Sequence, residues 1–273
     1  MSTLPRADLA ALQEEIRFVT AAEFTARARG REPVVGYWMT LDSPVLAERL
    51  AGIGYDYLVL DAQHGEHDAR AQLVGLLAVD AAAGSAGLVR VEANLATPIG
   101  RALDLGAAGV IVPLINTADD AASAVAAARY PPRGIRSYGP LRSDLRIGPT
   151  PAEADDTVLV LAMIETADGL ENLEEIAATP GLDGVYVGPS DLSIGLGAAY
   201  PGDPAIADSF SRAQARIREV CDREGIIAGI HTPSGVAAAE RLAEGFTMAT
   251  VAHDVGHLVD SARRHLAVTR DAS

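Results

Sequence analysis

The chain has 273 residues, of which 49% are hydrophobic and 22% charged, with a formal net charge of −15. That length and apolar content suit one α/β domain of roughly 250 residues. A field so negative disfavours nucleic acid or an anionic membrane as a main partner, while a small anionic substrate stays open because a local arginine or metal overrules the global field at short range.

Residues 1–30 are expected to form a helical extension leading into a barrel domain over 31–270. From there apolar runs alternate with helical patterns eight times. The strand candidates are Val34–Met39, Tyr57–Asp61, Gly87–Val91, Gly109–Pro113, Val158–Glu165, Gly184–Val187, Ile226–His231 and Thr247–Val251. Most are short, continuous and rich in Val, Ile and Leu, as strands buried on both faces are. Between them, Ser43–Ala51 carries an N-cap Ser and an early Pro, and Thr117–Arg129 a Thr cap with acids in its first turn. Ala167–Ala178, Asp208–Glu224 and Pro233–Ala243 are further helices. Repeated β-α alternation predicts a parallel sheet, and eight units predict closure into a (β/α)8 TIM barrel. The connection 131–157 is long and rich in Pro, Arg and Gly, which marks it as a lid or binding loop.

Polar side chains gather at the strand ends. The second strand ends in Asp61-Ala62-Gln63-His64-Gly65, the third in Arg90, the fifth in Glu165, and the sixth runs through Gly188-Pro189-Ser190 into Asp191. Glu165 and Asp191 are one helix and two turns apart, so a barrel sets them side by side at its C-terminal rim, where active sites lie. Two hard oxygen ligands there can hold a divalent cation and leave room for water and substrate. The competing reading is a pair of unrelated helix-capping acids. A base, a cation and two acids on one rim form a set that enolate chemistry could use. Asp104 lies on the helix leading to the fourth strand.

The motifs Leu58-Val59-Leu60-Asp61-Ala62-Gln63-His64, Leu88-Val89-Arg90-Val91, Ala102-Leu103-Asp104-Leu105-Gly106-Ala107, Arg129-Tyr130-Pro131-Pro132-Arg133-Gly134-Ile135-Arg136, Ala162-Met163-Ile164-Glu165-Thr166 and Val187-Gly188-Pro189-Ser190-Asp191-Leu192-Ser193 stand in order from about Val34 to Val255. In these the chain resembles the class II, metal-dependent pyruvate aldolases of the HpcH/HpaI family, within the citrate lyase β-like superfamily. The resemblance implies reversible aldol cleavage of a 4-hydroxy-2-oxo acid to pyruvate, or a related 2-oxo acid, and an aldehyde. It implies Glu165 and Asp191 as ligands of Mg²⁺, Mn²⁺ or Co²⁺, and Arg90 as the contact to the oxygen that becomes an enolate. His64 would move protons, Asp104 would orient it from a neighbouring subunit, and Asp61 would be a supporting acid. Gly188, Pro189 and Ser190 would receive the pyruvate carboxylate through a turn whose N–H groups open a helix, with Gln63 beside them. It also implies a homo-oligomer, a hexamer or trimer of dimers that exchanges C-terminal helices. The apolar face of Val255–Leu266 suits packing on a neighbour or on its own barrel.

The chain contains no lysine, its 22 basic residues all being arginine, so a Schiff-base aldolase mechanism is excluded. Gln63 stands where many relatives carry Glu, which removes one charge beside His64, and Ser137-Tyr138-Gly139-Pro140 departs from the usual glycine-rich continuation. Two other readings are a CoA-ester lyase of the malyl- or citramalyl-CoA type and a non-catalytic 2-oxo acid binding protein. Of the remaining residues, His67 reads as a loop residue, His231 and His253 as rim residues, His257 and His265 as surface residues, and Trp38 as core or pocket lining. Arg133, Arg136, Arg142 and Arg146 read as solvated charge. Cys221, the lone cysteine, reads as exposed to half-buried on a helix, and with no signal core or membrane span in the sequence the expected location is cytoplasmic.

Overall fold

In the computed structural model, which describes residues 19–271, eight parallel strands close into a barrel in sequence order. The strands are β1 (Val34–Met39), β2 (Tyr57–Asp61), β3 (Ala86–Arg90), β4 (Gly109–Val112), β5 (Leu159–Ile164), β6 (Gly184–Val187), β7 (Ile227–Thr232) and β8 (Met248–His253). The (β/α)8 expectation therefore holds, and the strand ends move by two residues at most. The continuous apolar runs make sense in this setting. One set of alternate residues, including Val34, Trp38, Tyr57, Val59, Leu88, Ile111, Leu161, Met163, Tyr186 and Met248, fills the barrel interior. The other set, including Leu58, Leu60, Val89, Val110, Val160, Val185 and Ile230, packs outward against the helices. Each strand thus needs apolar residues on both faces.

Of the expected extension over 1–30, residues 1–18 lie outside the described residues, and the remainder contains α1 (Ala21–Arg29). Thr20 caps it, with Glu23 reaching back in a capping box. Phe24 on α1 is fully buried in the interior cluster, its ring 5.6 Å from that of Tyr57. Burying such a ring stabilises by about 1.5–3 kcal/mol, so α1 closes the base of the barrel.

The other helices are α2 (Pro44–Ala51), α3 (Ala69–Ala82), α4 (Ala96–Asp104), α5 (Ala118–Ala128), α6 (Ser143–Arg146), α7 (Pro151–Thr157), α8 (Ala167–Glu171), α9 (Leu173–Ala177), α10 (Pro189–Gly195), α11 (Ala207–Glu224), α12 (Gly235–Ala243) and α13 (Asp254–Asp271). The single helix expected over Ala167–Ala178 is two, broken at Asn172, whose side-chain amide donates to the carbonyl of Asn116 at 2.8 Å. Cys221 is fully buried rather than exposed or half-buried, and burial pushes its thiol up to about 12.

The long connection is the main correction. Helix α5 runs from the rim back to the base, so the segment between it and β5 lies at the N-terminal end of the barrel and covers no rim. Its arginines are not all solvated either. Arg136 is buried, stacks on Tyr130 at 4.5 Å and donates to Asp104 at 2.8 Å. Arg142 is buried and donates to Asp80 and to the carbonyl of Leu105. Arg133 and Arg146 pair with Asp156 and Asp80. Helix α13 leaves the barrel after β8 with most of its surface exposed, Leu258, Leu266 and Val268 included.

Candidate active site

Strand parity builds the site. The residues that face inward along β2 are Tyr57, Val59 and then Asp61; along β3, Ala86, Leu88 and then Arg90; along β5, Leu159, Leu161, Met163 and then Glu165. At the C-terminal ends this inward series changes from apolar to charged, so three ionisable groups converge on one mouth. Register agrees, because Asp61 on β2 is paired directly with Arg90 on β3.

Asp61 is the hub. It is 1% exposed and its carboxylate accepts Nε of Arg90 at 2.9 Å, Nη2 of Arg90 at 2.5 Å, Nε1 of Trp38 at 3.1 Å and the backbone N–H groups of Gln63 and His64 at 3.0 and 3.1 Å. Burial alone would raise its pKa, but the donors from Arg90, Trp38 and His64 outweigh it and hold the carboxyl below its ordinary value. The bidentate pair fixes the guanidinium plane, and Trp38 supports it from one face at 5.0 Å. Nη1 takes no part in the pair.

The turn after β2 is folded by the same carboxylate. Gly65 is required there, since a Cβ would stand 2.4 Å from the carbonyl oxygen of Asp61 and 2.8 Å from that of Thr40. The turn presents His64 to solvent, and buries His67, whose Nδ1 pairs with the carbonyl oxygen of Asp61 at 3.2 Å. His67 is therefore part of the turn's scaffold, in keeping with its reading as a loop residue. Gln63, just before His64, has its Oε1 buried and without a partner among the described residues.

Glu165 is buried, and its Oε1 accepts the backbone N–H of Leu114 at 2.8 Å. Leu114 holds a left-handed backbone at φ 56°, rare for a residue with a branched side chain. Burial raises the Glu165 pKa above its ordinary value; the Leu114 bond and Arg90 oppose this, and the charge of Asp191 adds to it. Asp191 lies in the first turn of α10, exposed to solvent, with Gly188 as the N-cap residue and Pro189 opening the helix. Gly188 leaves the space that Glu165 occupies, for a Cβ there would be 2.7 Å from Oε2 and 3.0 Å from Cβ of Glu165.

A carboxylate whose ionised form is disfavoured first by burial and then by a second carboxylate's charge makes a place that favours a divalent cation. Glu165 has one oxygen bound to an N–H and the other with no hydrogen bond, and the donors are all oxygen, which suits Mg²⁺ or Mn²⁺. No group of three or more His, Cys, Asp or Glu able to hold a metal occurs among the described residues. The pair would accordingly need water and substrate oxygens to complete a shell.

The rim thus gathers Asp61, Gln63, His64, Arg90, Glu165, Gly188, Pro189, Ser190 and Asp191. Asp104 is not among them. It ends α4 at the opposite end of the barrel, tied to Arg136, so one chain does not bring it to His64. Two residues carry more of the site than the sequence reading gave them: Trp38, through its bond to Asp61, and His231, which stacks edge-on against Trp38 at 5.3 Å between ring centroids. The alternation of β1 and β7 was the signal, since both side chains continue an inward-facing series. A cleft of about 770 Å³ opens beside them, bounded by Pro189, Ser190, His231 and His253.

Comparison with known proteins places the chain in a family. The HpcH/HpaI aldolase/citrate lyase model matches residues 35–261. The hydroxypyruvate/pyruvate aldolase of Rhizorhabdus wittichii is 40% identical over 239 residues, covering 87% of this chain and 94% of the relative. The 4-hydroxy-2-oxovalerate aldolase of Rhodococcus jostii is 40% identical over 240 residues, covering 86% and 90%. A crystal structure of a family protein from Burkholderia cenocepacia superposes with a TM-score of 0.83 at 35% identity, covering 91% of this chain and 99% of that one. A family model over residues 35–261 and relatives 40% identical over most of the chain settle the lineage: the chain belongs to the HpcH/HpaI aldolase/citrate lyase family.

Proposed function

We propose that the protein catalyses the reversible, metal-dependent aldol cleavage of a 4-hydroxy-2-oxo acid to pyruvate, or a related 2-oxo acid, and an aldehyde. The observation that carries this reading is Glu165, whose ionised form burial and then the charge of Asp191 disfavour, at the same barrel mouth as the pinned Arg90. Glu165 and Asp191 would hold the cation, which supplies Lewis acidity to the 2-oxo acid when bound.

The chain's own groups account for the rest. Arg90 places a fixed positive charge where negative charge develops on the 2-oxo oxygen, and one such donor is worth roughly 3 kcal/mol in turnover. Asp61 is a positioning residue that keeps the free edge of Arg90 pointed at the ligand. His64, exposed at the mouth, exchanges the proton of the substrate's 4-hydroxyl as the carbon–carbon bond breaks or forms. The turn at Gly188, Pro189 and Ser190 receives the substrate carboxylate through backbone N–H groups, and Gln63 completes the wall with its unpaired Oε1.

Asp104 acts in this reading only from a second copy, and a homo-oligomer follows. The exposed apolar residues of α13, Leu258, Val259, Leu266 and Val268, favour the same assembly by exchange of that helix. Light scattering at a mass equal to one chain would reject it. A cytoplasmic location fits a single buried cysteine, and among the described residues no helix is long and apolar enough to cross a membrane. Pyruvate release from a panel of 4-hydroxy-2-oxo acids, with Mn²⁺ and with EDTA, tests the reaction. Release that needs the cation supports the proposal, and no cleavage or condensation across the panel overturns it.

A further inference from the structure

His231 is the penultimate residue of β7 and projects into the barrel mouth beside Trp38. It holds no cation in the reading above and does not touch the Asp61–Arg90 pair. Its Nδ1 is nevertheless buried without any hydrogen-bond partner among the described residues. A buried polar atom left unpaired costs about 1–3 kcal/mol, and a leucine would fill the same place against the Trp38 ring without that cost.

The surroundings fix what the ring can bind. Burial, then the neighbouring His253 and Arg90, push its pKa down to about 4, so near neutral pH it is uncharged, with one N–H donor and one bare nitrogen. His253, 6.5 Å away between ring centroids, is already engaged, its Nδ1 accepting the Gly256 N–H at 3.3 Å. A neutral imidazole matches a hydroxyl, which both donates and accepts. It offers a carboxylate a single donor and a methyl group none. His231 and His253 also line a cleft together with Pro189 and Ser190. Those two residues belong to the turn that receives the 2-oxo acid in the aldolase reading, so the cleft beside it is the place for the aldehyde.

We propose that His231 selects the aldehyde partner by hydrogen bonding a hydroxyl on the carbon next to the aldehyde group, so that hydroxylated aldehydes are preferred to alkyl aldehydes of the same size. This rests on the aldolase reading and adds the class of its second substrate.

Glycolaldehyde and propanal differ by a hydroxyl in place of a methyl and form the test pair. In condensation with pyruvate and Mn²⁺, wild type is expected to favour glycolaldehyde in kcat/KM. His231→Leu is expected to lower the glycolaldehyde-to-propanal ratio by about tenfold or more. His231→Asn, which keeps a donor and an acceptor near Nδ1, should restore part of it. Calorimetric binding of Mn²⁺ and pyruvate by each variant shows that the site is assembled. A ratio in His231→Leu within twofold of wild type, or an equal fall for both aldehydes, overturns the proposal alone. Wild type that condenses neither aldehyde and does not exchange the pyruvate methyl protons with solvent overturns the aldolase reading, and this inference with it.

Discussion

Replacing Gly188 by alanine adds a single methyl group at the one point where β6 passes the metal-binding candidate. The backbone there has φ −90°, open to any residue, so the effect comes from contact and not from strain. The new Cβ would lie 2.7 Å from Oε2 and 3.0 Å from Cβ of Glu165, with Met163 Sδ at 3.5 Å behind. Glu165 has little freedom to move away, since Oε1 is held by the Leu114 N–H at 2.8 Å and the side chain is buried. Either that bond breaks or the ends of β5 and β6 part, and overpacking of this kind costs about 1–3 kcal/mol. Displacing a ligand by a few tenths of an ångström is comparable to losing a group that orients it, which lowers metal affinity about 10–100-fold, or about 1.4–2.7 kcal/mol. Calorimetric titration of the metal-free protein with Mn²⁺ measures this directly, beside a thermal melt. Gly100→Ala is the control: Gly100 lies inside α4 with no atom within 4 Å of an added Cβ, so the melt should rise slightly and Mn²⁺ affinity stay put. A folded Gly188→Ala protein that binds Mn²⁺ within twofold of wild type would refute the placement of the cation at Glu165.

Arg90→Ala should lower turnover by roughly 10²–10³-fold, and by stranding the buried Asp61 carboxylate it should also cost about 3–5 kcal/mol in urea unfolding. Adding Asp61→Asn should recover part of that stability and none of the turnover; full recovery of either would break the argument. Glu165 gives a pH dependence of definite sign. Its folded pKa lies above the unfolded one, so the metal-free fold is penalised when the group is ionised and not when it is protonated. Metal-free Glu165→Gln should therefore be more stable than wild type at neutral pH, with the gap closing as pH falls through the carboxylate range. A gap that does not change with pH would contradict this. Finally, inactive His64→Ala and Asp104→Ala proteins, unfolded and refolded together, should regain activity if the two residues act across copies, and mixtures that stay inactive would argue that they do not.

The barrel was legible because each strand is a short apolar run that reads the same on both faces, and β1, β2 and β6 come out with the expected limits. The rim was legible for a related reason. Asp61, Arg90 and Glu165 each interrupt such a run at its C-terminal end, and a barrel sends all those ends to one mouth. What escaped the sequence depends on direction or on partners far along the chain. The segment after Arg129 looked like a lid on length alone, yet β4 and α5 together fix that it starts from the base. Arg136 and Arg142 looked solvated because their acids, Asp104 and Asp80, are 32 and 62 residues away. Trp38 read only as core or pocket lining because nothing local says that its N–H meets Asp61 on the next strand.

Local rules are broken at several places among the described residues, Arg31 and Ala83 included, and two of the regions bear on function. At the rim, Glu165 resists ionisation, Leu114 has a left-handed backbone, and Gln63 Oε1 and His231 Nδ1 are buried without partners. At the base, beside Asp104, the buried Arg136 leaves Nε and Nη1 unpaired while Nη2 alone meets the acid. Elsewhere buried charge is better matched: Asp183 alone is held by Arg29, Arg129 and the N–H of Val160. Unpaired donors and acceptors persist where something else completes them. In the proposed reading, a cation and the two substrates would do so at the rim. At the base, the acid assigned to His64 is beyond the reach of its own chain, and a second copy of the protein is the partner that would take it up.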